Sequence, residues 1–252
     1  DSITVKLIKY HRNGMKHYQQ DIVNNQMNGQ YVSWHSTGVK SAKGNYLNGE
    51  LFDKWIWWGK DGLPDSIRTF KNQMLHGEYI NYFGNGKPNE LMEYAENKKY
   101  GYYMELDEKG GKVSIGEYRN DTPHGHWIWW QNRIKTRELM FNNGLKNGPL
   151  KVYDKLGKMK IIGYYNNDQK DGEWKWFSDQ NGLDSLIVYK NNKYNGDYKI
   201  WHANGNQAVI GYYNMGLKND EWEWFNKKGQ KDSIKIYYDT GQLFGSTIYY
   251  DG

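Results

Sequence analysis

Large apolar side chains recur along this chain at a fixed spacing, with polar residues and glycines at equally regular positions between them. Segments 172–177 (GEWKWF) and 220–225 (DEWEWF) show the pattern most clearly. Successive copies start 24 residues apart, except for one step of 23 residues. The ten copies begin near Val5, Gly29, Asp53, Gly77, Gly101, Gly125, Gly148, Gly172, Gly196 and Asp220, and a partial copy begins near residue 244. Such a period indicates a repeat array, in which each unit buries surface against its neighbours.

Each unit carries the signals of two strands and two turns. If the first residue of a unit is position zero, large side chains fall at positions two and five, and another aromatic falls near position seventeen. Glycine near position nine and pairs such as Asn48-Gly49 after position seventeen suit tight turns. We therefore predict one all-β domain over 1–252, an elongated repeat array of antiparallel β-hairpins that form a continuous, twisted, single-layer meander.

Side-chain volume suggests a cross-strand register. Setting position seventeen opposite position two of the next unit places Tyr46 opposite Trp55, and it places position fifteen opposite position four. The glycine–tryptophan pairs of this register are Gly44 with Trp57, Gly116 with Trp129, Gly163 with Trp176 and Gly211 with Trp224. An aromatic ring over a cross-strand glycine restores packing at that site. We interpret these tryptophans as packing residues, not as a ladder of ligand-binding rings.

Composition narrows the class of protein further. The 12 Trp and 23 Tyr side chains supply the surface that an aromatic core can bury. The absence of cysteine excludes disulfides and thiolate chemistry. A net charge of +5, with Lys and Glu alternating along the repeat, does not predict nucleic-acid binding. No apolar run approaches the length of about 18 residues that a transmembrane helix needs.

The repeat resembles a known family. Segments 204–206 (NGN), 211–214 (GYYN) and 221–225 (EWEWF) are similar to the MORN repeat in its bacterial variant form, and the likeness extends over nearly all of residues 5–252. The resemblance implies an elongated, twisted, single-layer sheet of hairpins, and binding or scaffolding in place of catalysis. Some bacterial members of the family are antitoxin-like. Asp53 and Asp220 replace the leading glycine and the unit at Gly125 is short, so the turn geometry at these three places stays open.

Candidate chemistry is sparse. His124 and His126 are two residues apart, a spacing that puts both on one face of a strand, but no third ligand lies nearby in sequence. No phosphate-binding loop, dinucleotide fingerprint or nucleophile motif is present. We therefore predict no catalytic, cofactor-binding or metal-binding residues, no cofactor, and no enzymatic activity.

Position three distinguishes the two halves of the chain. It is apolar in the first six units and becomes Lys151, Lys175, Lys199 and Glu223 in the last four. This position shares a face with the position-five aromatics, so the early units are apolar on both faces. Either a partner covers the second apolar face, or sheet curvature and long side chains cover it within the chain. The candidate partner-binding residues are Val32, Trp34, Ile56, Trp58, Ile80, Tyr82, Ile128 and Trp130.

These patterns favour a non-catalytic scaffold that binds another protein through an extended interface, as a component of a larger assembly. One alternative is an envelope glycan-binding module, with stacking platforms at Trp34, Trp58, Trp130 and Trp201. Others are an antitoxin-like partner of a toxin, and a lipid-headgroup surface on Lys151, Lys175 and Lys199. The compartment is left open by the sequence, with the cell envelope favoured over the cytoplasm.

Overall fold

The computed structural model describes residues 4–180 and 182–249, and the regular elements among them are all β-strands. Their 22 strands pair in antiparallel fashion, mostly with the strands before and after them in sequence. The predicted all-β array of antiparallel hairpins is thereby confirmed. The chain divides into two compact units, residues 1–124 and 125–252.

The first unit holds ten strands, each paired with the next in sequence. They are β1 (Thr4–Tyr10), β2 (Lys16–Val23), β3 (Gln26–Trp34), β4 (Lys40–Leu47), β5 (Glu50–Trp58), β6 (Pro64–Lys71), β7 (Met74–Tyr82), β8 (Pro88–Ala95), β9 (Lys98–Leu106) and β10 (Lys112–Arg119).

The second unit holds the other twelve described strands, the first of which starts just before the unit boundary, at Thr122. Its strands are β11 (Thr122–Gln131), β12 (Ile134–Asn142), β13 (Leu145–Tyr153), β14 (Met159–Asn166), β15 (Gln169–Lys170), β16 (Gly172–Phe177), β17 (Leu183–Lys190), β18 (Lys193–Trp201), β19 (Gln207–Asn214), β20 (Leu217–Phe225), β21 (Lys231–Tyr237) and β22 (Leu243–Ile248). β15 and β16 both pair with β14, so they are two parts of one strand that is interrupted at Asp171. The predicted partial unit near residue 244 supplies most of β22, and its last residues, 250–252, lie outside the described residues.

The two turns of a unit link it to its neighbours. In the tight turn, Asn167 and Asp168 adopt positive φ angles of 47° and 65°. The Asp168 N–H donates to the Lys146 carbonyl at 2.9 Å, and its carboxylate accepts from the Lys146 N–H at 2.9 Å. In the other turn of the unit, at the opposite end of the strands, His35 Nε2 lies 3.0 Å from the Trp58 carbonyl oxygen of the next repeat. His11 and His202 repeat that contact, so these three histidines have structural roles.

The observed register differs by two residues from the predicted one. Trp57 lies opposite Ala42, and Trp176 lies opposite Ile161. The glycine at position fifteen instead meets the indole at position two: a Cβ on Gly44, Gly163 or Gly211 would overlap the ring of Trp55, Trp174 or Trp222, respectively. The prediction that tryptophan rings cover cross-strand glycines is therefore correct at these three sites. The tryptophans predicted to do so, Trp57, Trp176 and Trp224, are the wrong ones.

The leading residue of each repeat explains the shift. After Asn45 pairs with Phe52, one residue of β4 faces three residues of β5 before Lys43 pairs with Ile56. This bulge contains Asp53, whose φ is 59°, and the equivalent Gly77 has a φ of 100°. A bulge of this kind needs a left-handed residue, which glycine supplies without strain and which Asp tolerates. The substitutions at Asp53 and Asp220 therefore preserve the local geometry.

Aromatic rings at positions two and four form the core on one side of the strands, which we call the core face. Trp55, Trp174 and Trp222 are only 2–3% exposed. Each indole N–H donates to a backbone carbonyl of the neighbouring strand, at 3.0 to 3.2 Å. Lys218 extends over the Trp222 ring with its ammonium 4.3 Å from the centroid, and Lys170 does the same over Trp174 at 4.4 Å. Burial lowers the pKa of Lys170.

Candidate docking surface

Positions one, three and five lie on the opposite side, which we call the open face. The Tyr153 hydroxyl, at position five, donates to Glu138 at 2.5 Å, and Glu138 lies opposite Lys151, at position three. In the tenth repeat, Lys231 contacts both Glu223, at position three, and the ring of Phe225, at position five. The predicted sharing of one face by positions three and five therefore holds in both examples.

An unbroken band of apolar side chains crosses the open face of the first unit. Ile56 pairs with Ile67, which also pairs with Ile80. Ile80 pairs in turn with Leu91, Leu91 with Met104, and Met104 with Ile115. The band thus runs over six consecutive strands from β5 to β10, and all six side chains are half-buried. We call Ile56, Ile67, Ile80, Leu91, Met104 and Ile115 the apolar band.

The structure separates the eight predicted face residues. Ile56 and Ile80 lie in the apolar band, and Trp58 and Tyr82 are two residues further along the same strands. Val32 is separated from the band by Lys43, which pairs with both Val32 and Ile56, and Val32 is itself 8% exposed. Trp34 ends the same strand as Val32 and is half-buried. Ile128 and Trp130 belong to the second unit, where Ile128 lies opposite Glu138.

Half of the apolar band comes from a repeat position outside those that the sequence predicts for this face. Ile67, Leu91 and Ile115 all occupy position fourteen, on the return strand of each hairpin. Position fourteen is Lys43 in the second repeat and becomes apolar in the third, fourth and fifth. Reading that column beside position three would have shown where the two apolar columns coincide.

Carboxylates line one side of the apolar band. Glu78 lies directly opposite Glu93, and the next pair along the open face is Tyr102 with Glu117. Both Glu78 and Glu93 are exposed, and Lys54 contacts Glu78 at 2.6 Å. A hollow of about 200 Å³ between Glu78, Ile80, Leu91, Glu93 and Tyr102 joins the acidic side chains to the band. Like charges directly opposite each other on neighbouring strands destabilise a sheet, so this arrangement favours a cationic ligand.

The open face of the second unit is built differently. Lys175 pairs with Ile162 and Leu186, and Lys199 pairs with Leu186 and Ile210, so charged and apolar side chains alternate. Lys175 contacts Glu173 at 2.8 Å, and Lys199 contacts Asp197 at 2.6 Å. These acidic neighbours offset the lysines, which weakens the case for a basic lipid-binding stripe.

Glu138 is the centre of the strongest polar cluster on this face. Its carboxylate contacts Lys135 at 2.8 Å, Tyr153 at 2.5 Å and His126 at 3.2 Å. Partial burial alone would raise the pKa of Glu138, but the hydrogen bonds from Lys135 and Tyr153 outweigh it and hold the pKa at about 2. Burial, together with the hydrogen bond to Glu138, raises the pKa of Tyr153 to about 12.

Glu138 is therefore expected to make the second unit acid-sensitive. Because its folded pKa lies below the usual value of 4.5, its ionised form stabilises the fold above pH 4.5, and this contribution disappears as the pH falls towards 2. Glu138→Gln should reduce the difference in melting temperature between neutral and acidic solution. Circular dichroism melts of both proteins across this range test it, with Glu173→Gln as an exposed control. An unchanged difference in the Glu138→Gln variant would contradict the assignment.

Comparisons with known proteins leave the family of the chain open. No family model matches it, and no curated protein matches it either. Among solved structures, TcdB2-TccC3-Cdc42 and TcdB2-TccC3-TEV align with 97% and 98% of the chain, at 10% identity and a TM-score of 0.23. The chain covers 17% of those proteins. A TM-score of 0.23 is too low to establish a common fold, so this likeness carries no argument.

Within residues 4–180 and 182–249, no group of three or more His, Cys, Asp or Glu side chains is placed to hold a metal ion. In the same part of the chain, no helix is long and apolar enough to cross a bilayer.

Proposed function

We propose that this chain is a non-catalytic, MORN-like repeat scaffold that binds another protein through the open face of its first unit. The apolar band is the observation that supports the proposal. Six apolar side chains in direct cross-strand contact form a continuous surface, whereas the equivalent columns of the second unit are interrupted by lysines. Contiguous apolar patches that stay partly accessible to solvent mark interaction sites on proteins.

The charges beside the apolar band support a partner with cationic side chains. Glu78, Glu93 and Glu117 lie on the open face next to the apolar band, with Lys54 as a nearby cation. Electrostatic complementarity then favours a protein segment that presents apolar side chains together with lysine or arginine. Such a segment would relieve the repulsion between Glu78 and Glu93 while it covers Ile80 and Leu91.

Rings at position five extend the surface on the other side of the apolar band. Burial raises the pKa of Tyr82, as does the charge of Glu78, while Lys54 lowers it. Tyr82 therefore lies within electrostatic reach of Glu78. Aromatic residues are enriched where interfaces are strongest because they bury large areas and keep a polar tip. Trp58 and Tyr82 are the position-five rings best placed to contact a partner that lies on Ile56 and Ile80.

Site-specific photo-crosslinking tests this proposal in the native protein and its own cells. A photoreactive phenylalanine derivative at Leu91 should form a crosslink with one protein partner. The crosslinked peptide, identified by mass spectrometry, should contain lysine or arginine beside apolar residues. The same derivative at Leu186, which occupies position fourteen in the second unit, is the matched control and should give no such product.

Two outcomes would count against the docking surface. Equal crosslinking at Leu91 and Leu186 would show that the open face is contacted without selection. A crosslinked peptide rich in acidic residues would contradict the electrostatic argument from Glu78 and Glu93.

A further inference from the structure

The short sixth repeat has an unusual turn. A full-length repeat ends its first strand in a five-residue loop, such as residues 154–158, where the Asp154 N–H donates to the Lys158 carbonyl at 2.9 Å. In the sixth repeat Gln131 pairs directly with Ile134, and only Asn132 and Arg133 form the turn, with φ angles of 51° and 66°. One missing residue has therefore replaced a broad loop with a narrow two-residue turn.

A cleft of about 840 Å³ lies at this turn, within the second unit. The turn residues Gln131 and Asn132 line it together with three aromatic side chains, Trp129, Trp130 and Tyr153. All three residues are half-buried. Trp129 belongs to the core face and packs against Trp127 and Phe141, which fixes the orientation of its ring.

The two charged side chains that line the cleft are both cationic. The ten described residues that line it include Arg137 and Lys155 and no carboxylate. Of the carboxylates near it, Glu138 is bonded to Lys135 and Tyr153, and Asp154 accepts hydrogen bonds from the backbone N–H groups of Leu156 and Lys158. The Arg137 guanidinium lies 3.9 Å from the centre of the Trp129 ring. Stacking uses the flat face of a guanidinium, whereas its hydrogen bonds form at the edge, where a carboxylate binds in a bidentate manner.

We propose that this cleft binds an acidic oligosaccharide. The C–H groups on one side of a pyranose ring form an apolar face that stacks on an indole, which suits Trp130, while Trp129 holds the Arg137 guanidinium in place. Arg137 and Lys155 would bind the sugar carboxylate. The side chains of Gln131, Asn132 and Thr136 would exchange hydrogen bonds with hydroxyl groups.

The lining of the cleft favours a sugar over an apolar peptide. Ligand sites generally combine aromatic walls with a few placed polar groups that fix orientation. Here amides, a hydroxyl and two cations lie among the rings around an open cleft. Such a lining is complementary to a ligand that carries hydroxyl groups and a negative charge. The apolar band in the first unit has none of these amides among its six residues. The cleft is therefore a separate site, and it does not depend on the proposed protein partner.

Binding of defined oligosaccharides tests the proposal directly. Tetragalacturonic acid should bind the full chain, as followed by isothermal titration calorimetry and by tryptophan fluorescence. Its methyl ester and the neutral maltotetraose should bind at least tenfold more weakly, because they lack the carboxylate that Arg137 and Lys155 recognise. Hexaglutamate should also bind more weakly, because it has no pyranose face.

Two variants assign the binding to this cleft. Arg137→Gln should weaken tetragalacturonate binding about tenfold or more. Replacement of residues 131–134 by the five-residue loop 59–63 restores a 24-residue repeat and should fill the cleft and abolish binding. The matched control replaces residues 107–111, already a five-residue loop, by the same segment and should bind as the native chain does.

Several results would overturn the proposal. They are absence of tetragalacturonate binding, equal binding of maltotetraose or hexaglutamate, and undiminished binding in the loop graft. Circular dichroism and melting temperature establish that each variant is folded, so a loss of binding in a folded Arg137→Gln protein assigns the ligand to the cleft.

Discussion

Trp222→Ala is expected to destabilise the second unit by about 3–5 kcal/mol, the usual range for removing a buried tryptophan. The ring is 2% exposed, lies against Gly211, contacts Tyr198, Tyr213 and Trp224, and donates a hydrogen bond to the Tyr212 carbonyl. Its loss would leave a cavity over a glycine, which has no side chain to fill it, and would also leave that carbonyl without its indole donor.

The matched control is Trp224→Ala. Trp224 lies two residues along the same strand, is half-buried and pairs with Val209 and Ser233. It should cost clearly less than Trp222→Ala because less of its ring is buried. Urea unfolding followed by circular dichroism gives both free energies of unfolding. Native-state hydrogen exchange then shows which strands open, since repeats contact mainly their neighbours. A larger loss for Trp224→Ala would contradict the register seen here.

The period of the repeat predicts the architecture because every unit must place the same side chains against the next unit. The tight turns can also be predicted from the sequence, since Asn167-Asp168 and the equivalent dipeptides tolerate the left-handed conformations observed. The register was harder to predict. It depends on a bulge at the leading residue, and side-chain volumes alone did not reveal that Asp53 or Gly77 adds two residues to one strand.

The candidate docking surface was predictable in part for a related reason. Ile56 and Ile80 stand out at position three, but a surface consists of neighbours across strands, not of one column. Ile67, Leu91 and Ile115 join the apolar band only once the register places position fourteen against position three. The acidic side of the band also needed the register, because Glu78 and Glu93 are 15 residues apart in sequence and become direct neighbours only in the sheet.

The cleft at the sixth repeat was not predicted. The sequence shows that one residue is missing there, and the structure shows what its absence does. The consequence depends on where the remaining side chains lie around a shorter turn, above all on Arg137, whose guanidinium stacks on Trp129. A deviation from strict periodicity is thus the signal that could have directed attention to this place.

Ile80→Lys is expected to weaken binding of the protein partner by about thirtyfold or more while the fold survives. Ile80 lies at the centre of the apolar band, between Ile67 and Leu91. Truncation at such central positions commonly costs 2 kcal/mol or more, which corresponds to about thirtyfold in affinity. The added positive charge would also repel the cationic segment that we expect to bind beside Glu78.

The second unit indicates why this variant should fold. Lys175 occupies the same position in its own repeat, between Ile162 and Leu186, with its stem beside apolar neighbours and its ammonium near Glu173. A lysine at residue 80 has Glu78 in the corresponding place, so the strand already contains a suitable acidic neighbour. Long lysine stems cover apolar surface in this way while the charge stays in water.

Three variants separate docking from packing and from charge. Ile80→Glu should lose less affinity than Ile80→Lys, because a carboxylate does not repel a cationic partner. Leu186→Lys places the same charge on the open face of the second unit and should leave the affinity unchanged. Binding to the crosslinked partner, measured by surface plasmon resonance on variants with native melting temperatures, gives the ranking. Unfolding of Ile80→Lys would identify the apolar band as internal core, and native affinity in a folded Ile80→Lys protein would exclude it as the docking surface.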